Sequence, residues 1–268
     1  MFLLQHVLLF IAAAASAGET AQSSAGTLAD AQRLYFNAKY DQAAAAALAL
    51  TGSEPDNLAA CELRTSAILF QLKGALGDAP DRKKALAECA SCGALMTAFE
   101  RDTTRCQVVA RQKLAAAPGD ESALFFLGKL DLNFVWLHLG TLGRKTGWGE
   151  YWEARRSLDA VLAKNPANPR ARVARAWIDY IVDTRMPRLT RWVLGGGNKK
   201  RALQVMKESA DAESDFFIHA EAMFTLWDVQ VREENIPAAL EAARAIARDF
   251  PENPEVARFI DKHAGAKR

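Results

Sequence analysis

Strand patterning is almost missing from this chain. Apolar and polar residues hardly alternate anywhere along its 268 positions, which argues against a half-buried β-sheet. Histidine is scarce, with four residues, and none stands in a His-x-x-x-His spacing, so a helical metal site of that form is excluded. There is no Gly-x-Ser-x-Gly elbow, and no glycine loop runs into Gly-Lys-Ser/Thr after a strand. The net charge is only +2, so the overall balance gives no support to a nucleic-acid or membrane-surface partner. Carboxylates are plentiful but scattered along helical faces, where solvated charge is the ordinary role. Together these gaps point away from an enzyme and from a metal or other cofactor.

The apolar run Phe2 to Ala15 is shorter than the roughly 20 residues that a membrane span needs. It ends in Ala15-Ser16-Ala17, a small-x-small cleavage pattern. Residues 1–17 therefore read as a signal peptide cut after Ala17, and 18–26 as a flexible tail. Residues 27–263 form one domain and 264–268 a disordered tail. No cysteine follows the apolar run, so it offers no lipid attachment point. The expected location is periplasmic or secreted, with no transmembrane segment in the mature chain.

The four cysteines, Cys61, Cys89, Cys92 and Cys106, all lie in the N-terminal half. An even number in an oxidising compartment permits disulfides. Cys89-Ala-Ser-Cys92 has the spacing of a redox motif, but no strand pattern precedes it and no histidine follows. On a continuous helix Cys89 and Cys92 share a face, which lets each reach a neighbouring helix with Cys61 and Cys106 as partners. Three pairings are open, and the sequence does not choose.

What fills the chain is helix. Ala, Leu, Glu, Lys and Arg dominate, with apolar residues at helical spacing. The pattern predicts helices over 27–38, 41–51, 56–75, 81–98, 102–116, 120–141, 150–164, 168–184, 198–211, 215–233, 236–249 and 254–263. The joints between them are rich in proline with Asn or Asp: Ser53-Glu54-Pro55-Asp56-Asn57, Ala117-Pro118-Gly119-Asp120, Asn165-Pro166-Ala167-Asn168-Pro169 and Phe250-Pro251-Glu252-Asn253-Pro254. Asn and Asp suit the N-cap, and proline suits the first helical turn. Helix pairs of this kind bury their apolar faces only by stacking.

The spacing resembles the tetratricopeptide repeat, whose period is roughly 34 residues. Leu226 and Trp227 fall at that family's Leu-Gly pair, Ala239 at the small residue of the second helix and Pro251 at the closing proline. Tyr40-Asp41-Gln42-Ala43 with Pro55 matches a first unit. Leu124, Leu127, Gly128, Tyr151, Ala154 and Pro166 make another. The resemblance implies an all-α, tetratricopeptide-like helical-repeat solenoid of about 5–6 helix pairs. Trp227 and Ala239 stand 12 positions apart, whereas Gly128 and Ala154 stand 26 apart, as do Ala176 and Ala202. Two central units are thus enlarged, at 132–149 and 180–197. Those additions, with the Gly-Gly-x-x-Lys helix start at Gly196 to Lys200, also resemble the periplasmic tetratricopeptide-like component of some solute transport systems.

The enlarged units carry the candidate site. Between 139 and 201, Lys and Arg far outnumber Asp and Glu. The proposed contact residues are Arg144, Lys145, Trp148, Arg188, Arg191, Trp192, Gly196, Gly197, Asn198, Lys199 and Lys200. Glycines let a ligand approach the backbone, Asn198 caps a helix, and free N–H groups at a helix start favour an anion. The bland alternative is a flexible joint with a cap. Most aromatics here, including Phe125, Phe126, Phe134, Trp136, Trp152, Trp177 and Tyr180, belong to the core by spacing. Trp148 and Trp192 are the exposed ones. Asp131, Asp179 and Asp183 are candidates to pair with Arg144, Arg185 or Arg191. The function expected is a non-enzymatic exported adaptor that binds a protein or peptide, an acidic one being drawn to the cations. The alternative is an anionic-solute-binding component of a transport system.

Overall fold

The computed structural model describes residues 26–265, and every regular element among them is a helix. The signal peptide expected at 1–17, the cut after Ala17, nearly all of the 18–26 tail and residues 266–268 lie outside the described residues. The helices are α1 (Leu28–Phe36), α2 (Tyr40–Ser53), α3 (Leu58–Leu76), α4 (Arg82–Glu88), α5 (Cys92–Ala116), α6 (Glu121–Val135), α7 (Trp148–Lys164) and α8 (Pro169–Arg185). They continue as α9 (Arg188–Val193), α10 (Lys199–Asp211), α11 (Phe216–Arg232), α12 (Ile236–Asp249) and α13 (Pro254–Ala264). The chain is all-α, and no helix among the described residues is long and apolar enough to cross a membrane.

The helix starts are set locally. Thr27 and Asp30 form a reciprocal capping box on α1. Asn57, Asp81, Asp120, Asn168, Asn198 and Asn253 each accept a backbone N–H from the first turn that follows. Pro169, Pro237 and Pro254 sit in first turns, where a missing N–H costs nothing.

One expected boundary is corrected. The helix anticipated over 81–98 breaks at Cys89–Ser91 instead of near 99–101, and α5 runs unbroken through Phe99, Glu100 and Arg101. Nothing at 99–101 interrupts a helix, whereas a Cys89–Cys92 disulfide closes the earlier turn. The break and the cysteine pairing go together. Cys89 and Cys92 bond to each other, and Cys61 bonds to Cys106, tying α3 to α5. The expected bridges from Cys89 and Cys92 to neighbouring helices do not form, because the two residues do not share a helical face.

Successive helices pack as α1 with α2, α3 with α5, α6 with α7, α8 with α10 and α11 with α12. Small residues allow the closest of these approaches. A Cβ at Gly128 would stand 3.3 Å from the Ala154 carbonyl oxygen and 3.0 Å from Leu158 Cγ. The first member of each pair also meets the next first member. α1 touches α3, α3 touches α6, α8 touches α11, and Arg170 of α8 lies over Phe125 of α6 at 4.4 Å. The circuit then closes, because α1 packs on α11. Phe36 inserts among Phe217, Phe224 and Phe250, and Lys39 pairs with Glu252.

The two enlarged connections are built differently. After α6 the helix widens into a π-helical segment, Trp136–Thr141, before a loop at 142–147. Leu137 of that segment is fully buried against the α3 and α5 core. The second connection holds α9 and three glycines.

Candidate functional site

Two regions deserve the name: the second enlarged connection, and the inner face of the helix circuit. In the connection, Gly195 takes a left-handed φ of +80°. Arg155 of α7 donates to the carbonyls of Leu194 and Gly195 at 3.0 and 2.9 Å, and the Tyr151 hydroxyl donates to Leu194 at 2.9 Å. The ring of Trp148 meets Tyr151 edge-on. Tyr151 thereby brings the end of the second connection against the end of the first. Gly197 presses on α8, where an added Cβ would meet the Asp183 nitrogen at 2.6 Å and the Asp179 oxygen at 2.7 Å.

The anion position at the start of α10 is already taken. Asp183 accepts from the Lys199 backbone N–H at 2.8 Å, and Asn198 accepts from Arg201 at 2.9 Å. Asp183 also holds Arg191 at 2.6 Å, and Arg191 Nε donates to the Met186 carbonyl at 2.9 Å. Lys199 reaches Glu233, the residue that follows α11, at 2.5 Å. The helix-start chemistry expected there is present, but it serves a carboxylate of the same chain. Arg191, Lys199, Gly197 and Asn198 are therefore engaged internally. Gly196 donates its N–H to the Arg191 carbonyl at 2.7 Å.

The remaining sequence candidates face water. Arg144 is exposed and lies 3.3 Å from the Nδ1 of His138, and Lys145 is exposed. Trp148 is partly exposed. Arg188 and Lys200 are exposed, and neither belongs to an ion pair among the described residues. Trp192 is 84% exposed, beside Leu189 at 89% and Val193 at 61%, on a helix with no buried residue. Leu189 and Val193 escaped sequence reading, because two aliphatic residues in a short basic segment look like anchors to a core. Lys200 and Asn198 also line a cleft of about 440 Å3 with Arg172, Arg201, Gln204 and Glu208.

The inner face has a different character. Each of the five helices of the circuit contributes one residue to a cluster: Tyr35 from α1, Glu62 from α3, Lys129 from α6, Arg170 from α8 and Glu221 from α11. Lys129 and Arg170 bind Glu221 at 2.7 and 2.8 Å. They approach Glu62 at 3.7 and 3.9 Å, and the Ser66 hydroxyl donates to Glu62 at 2.8 Å. Burial pushes the Glu221 carboxyl up, but Arg170 and Lys129 overcome it and hold it down at about 2. Burial works against charge on Lys129 too, but Glu221 and Glu62 leave it raised. The Tyr35 phenol is driven well above its usual range by burial and then by Tyr40, Glu62 and Glu221. These shifts hold Glu221 and Lys129 charged and the Tyr35 phenol uncharged, so the cluster is not poised to exchange protons near neutral pH.

No family model matches this chain, and no curated protein matches it in sequence.

The other aspartates singled out divide. Asp183 pairs with Arg191 as expected. Asp179 instead pairs with Arg175 at 2.6 Å, one helical turn away. Asp131 pairs with none of the three arginines. It is fully buried, accepts from Gln107 at 2.7 Å, and is pushed up to about 8 by burial and by the negative charge of Glu153. Among the described residues, no three His, Cys, Asp or Glu side chains are arranged to hold a metal ion.

Proposed function

We propose that the protein is a non-catalytic adaptor of the cell envelope that captures an acidic segment of a partner protein on the connection spanning residues 185–201. The observation that carries this reading is the exposed apolar trio Leu189, Trp192 and Val193 on α9. Contiguous exposed apolar side chains on a folded surface mark interaction sites. Trp and Arg are enriched among the residues that carry binding energy at protein interfaces. Arg185 and Arg188 flank the trio in sequence, and, with Lys200 and Arg201 at the start of α10, they have no ion-pair partner among the described residues. A rim of unpaired cations favours an acidic partner and speeds its encounter.

The tetratricopeptide-like solenoid with enlarged central units draws support from the paired packing, the Gly128–Ala154 approach and the proline-led joints. Stacks of this kind ordinarily bind on their concave side. Here that side carries the neutralised Glu62–Lys129–Arg170–Glu221 cluster, which moves capture to the outer connection. Export is supported by the 1–17 pattern and by two disulfides, which persist in oxidising compartments. The solute-binding alternative has one observation in its favour: the 440 Å3 cleft falls in the ligand-sized range and is edged by Arg172, Lys200 and Arg201.

A photocrosslinking residue placed at Trp192, with a control at the exposed Leu48 of α2, tests the reading in the native host. A discrete protein adduct at 192 only, lost when Leu189 and Val193 become alanine, is the expected result. Adducts to lipid, equal adducts at both positions, or none at 192 overturn it.

A further inference from the structure

The two disulfides occupy opposite environments. Cys61 and Cys106 are both buried, beside Leu130, and lock α3 to α5. Cys92 is also fully buried, but its partner Cys89 reaches solvent at the end of α4. No residue of α4 is fully buried, and Ala85, Leu86 and Cys89 pack against the core while staying partly exposed. Cys92 is the first residue of the 25-residue α5. The N-cap residue, Ser91, has helical dihedrals and makes no side-chain cap bond. Its hydroxyl lies 3.7 Å from Cys89 Sγ instead. In the first turn Cys92 N–H goes to the Cys89 carbonyl and Leu95 N–H to Ser91. The N–H groups of Gly93 and Ala94 between them have no acceptor among the described residues. Unclaimed first-turn donors and the positive end of a helix stabilise a thiolate.

We propose that Cys89–Cys92 is a reversible thiol–disulfide exchange site for dithiols, whereas Cys61–Cys106 is structural. An incoming thiolate attacks the accessible Cys89 Sγ. The new S–S bond joins the dithiol to Cys89, the Cys89–Cys92 bond breaks, and its electron pair leaves on Cys92 Sγ at the α5 N-terminus. The second thiol of the dithiol, after losing its proton, then attacks its own sulfur in the mixed disulfide and expels Cys89 as thiolate. The dithiol is oxidised to a disulfide, Cys89 and Cys92 are reduced, and both end as thiols or thiolates according to pH. A leaving thiolate of low pKa speeds this exchange. The site lies outside α9, so it stands whatever that helix binds.

The test uses the full chain with dithiothreitol as the dithiol and glutathione disulfide as the reagent that traps a free cysteine thiolate, releasing one glutathione. Native protein is equilibrated in graded redox buffers, quenched in acid, and its free thiols are alkylated and mapped by mass. Cys89 and Cys92 are expected to open at least about tenfold faster than Cys61 and Cys106, with helicity retained. The Cys92→Ser variant is expected to hold glutathione on Cys89. In the Cys89→Ser variant, Cys92 is expected to titrate below the ordinary thiol range, as read by thiolate absorbance. Opening of both disulfides together, opening only with loss of helicity, no glutathione adduct, or a Cys92 pKa at or above the ordinary range overturns the proposal.

Discussion

The side-chain amide of Asn253 donates to the main-chain carbonyl of Phe36 at 2.7 Å, joining residues 217 positions apart. The oxygen of the same side chain accepts from the N–H groups of Glu255 and Val256 and starts α13. One buried residue thus caps a helix and fastens the two ends of the helix circuit. Asn253→Ser keeps an N-cap acceptor but loses the reach to Phe36, and is expected to cost about 1–2 kcal/mol. Asn253→Ala loses both and is expected to cost about 2–3 kcal/mol. Urea unfolding measures the losses, and hydrogen exchange should show faster opening of α1 and α13 in both variants. An Asn253→Ser variant as stable as the native protein would mean that the Phe36 bond contributes nothing.

Asp131 and Glu221 give stability opposite dependences on pH. Asp131 is neutral when folded up to about pH 8, while its unfolded carboxyl ionises near 3.8. Between those values the folded chain holds an extra proton, so stability falls as pH rises, by up to about 1.4 kcal/mol per pH unit. Glu221 is held down at about 2 against an ordinary 4.5, so its contribution is present above pH 4.5 and fades as pH falls towards 2. The groups facing Asp131 are Gln107, Glu153, Arg111 and Glu150. Asp131→Asn keeps the Gln107 bond and removes the titration. Its stability relative to the native protein is expected to rise steadily from pH 5 to pH 8. A constant difference across that range would refute the assignment.

Lys129 stands between two carboxylates that, among the described residues, share only Arg170 as another cation. Lys129→Met leaves Glu62 and Glu221 short of countercharge within the circuit and is expected to cost about 3 kcal/mol. Adding Glu221→Gln should recover part of that loss in denaturant titrations. A double variant no more stable than Lys129→Met would show that the pair is not coupled.

Gly197→Ala is expected to loosen the second connection, because its Cβ would collide with main-chain atoms of Asp179 and Asp183, which have nowhere to move. A loss of about 1–3 kcal/mol is in keeping with overpacking. Gly195→Ala meets the flexible Arg155 guanidinium as well as an unfavourable φ, so its cost includes the Arg155 bonds to the loop. Protease cleavage after Arg188 should accelerate in both variants and stay slow in the parent.

Local chemistry was legible in the sequence and distant pairing was not. Asn57, Asp120, Asn168 and Asn253 announce their helices because a cap is decided within three residues. The exposed Trp192 could be read because it stands among glycines and cations. Glu62, Lys129, Arg170 and Glu221 look like ordinary charges on helix surfaces, since only the curvature of the whole circuit brings them together. Lys199 reads as a free cation, because its partner Glu233 is set by the path of the chain, whereas the Asp183–Arg191 pair, eight positions apart, is among the pairings the sequence offers. The break at Cys89–Ser91 carries neither proline nor glycine, so propensity gives no sign of it and the disulfide decides.

The seating of α1 against α11 joins the first and last helix pairs of the row among the described residues. An open row can gain or lose a unit at either terminus with little effect on the others. Here a further pair would have to part the seam at Phe36 and Asn253 and alter the curvature at every junction. Copy number is therefore set by geometry. Among the described residues, the faces of α1 and α11 that meet at this seam are covered by the same chain.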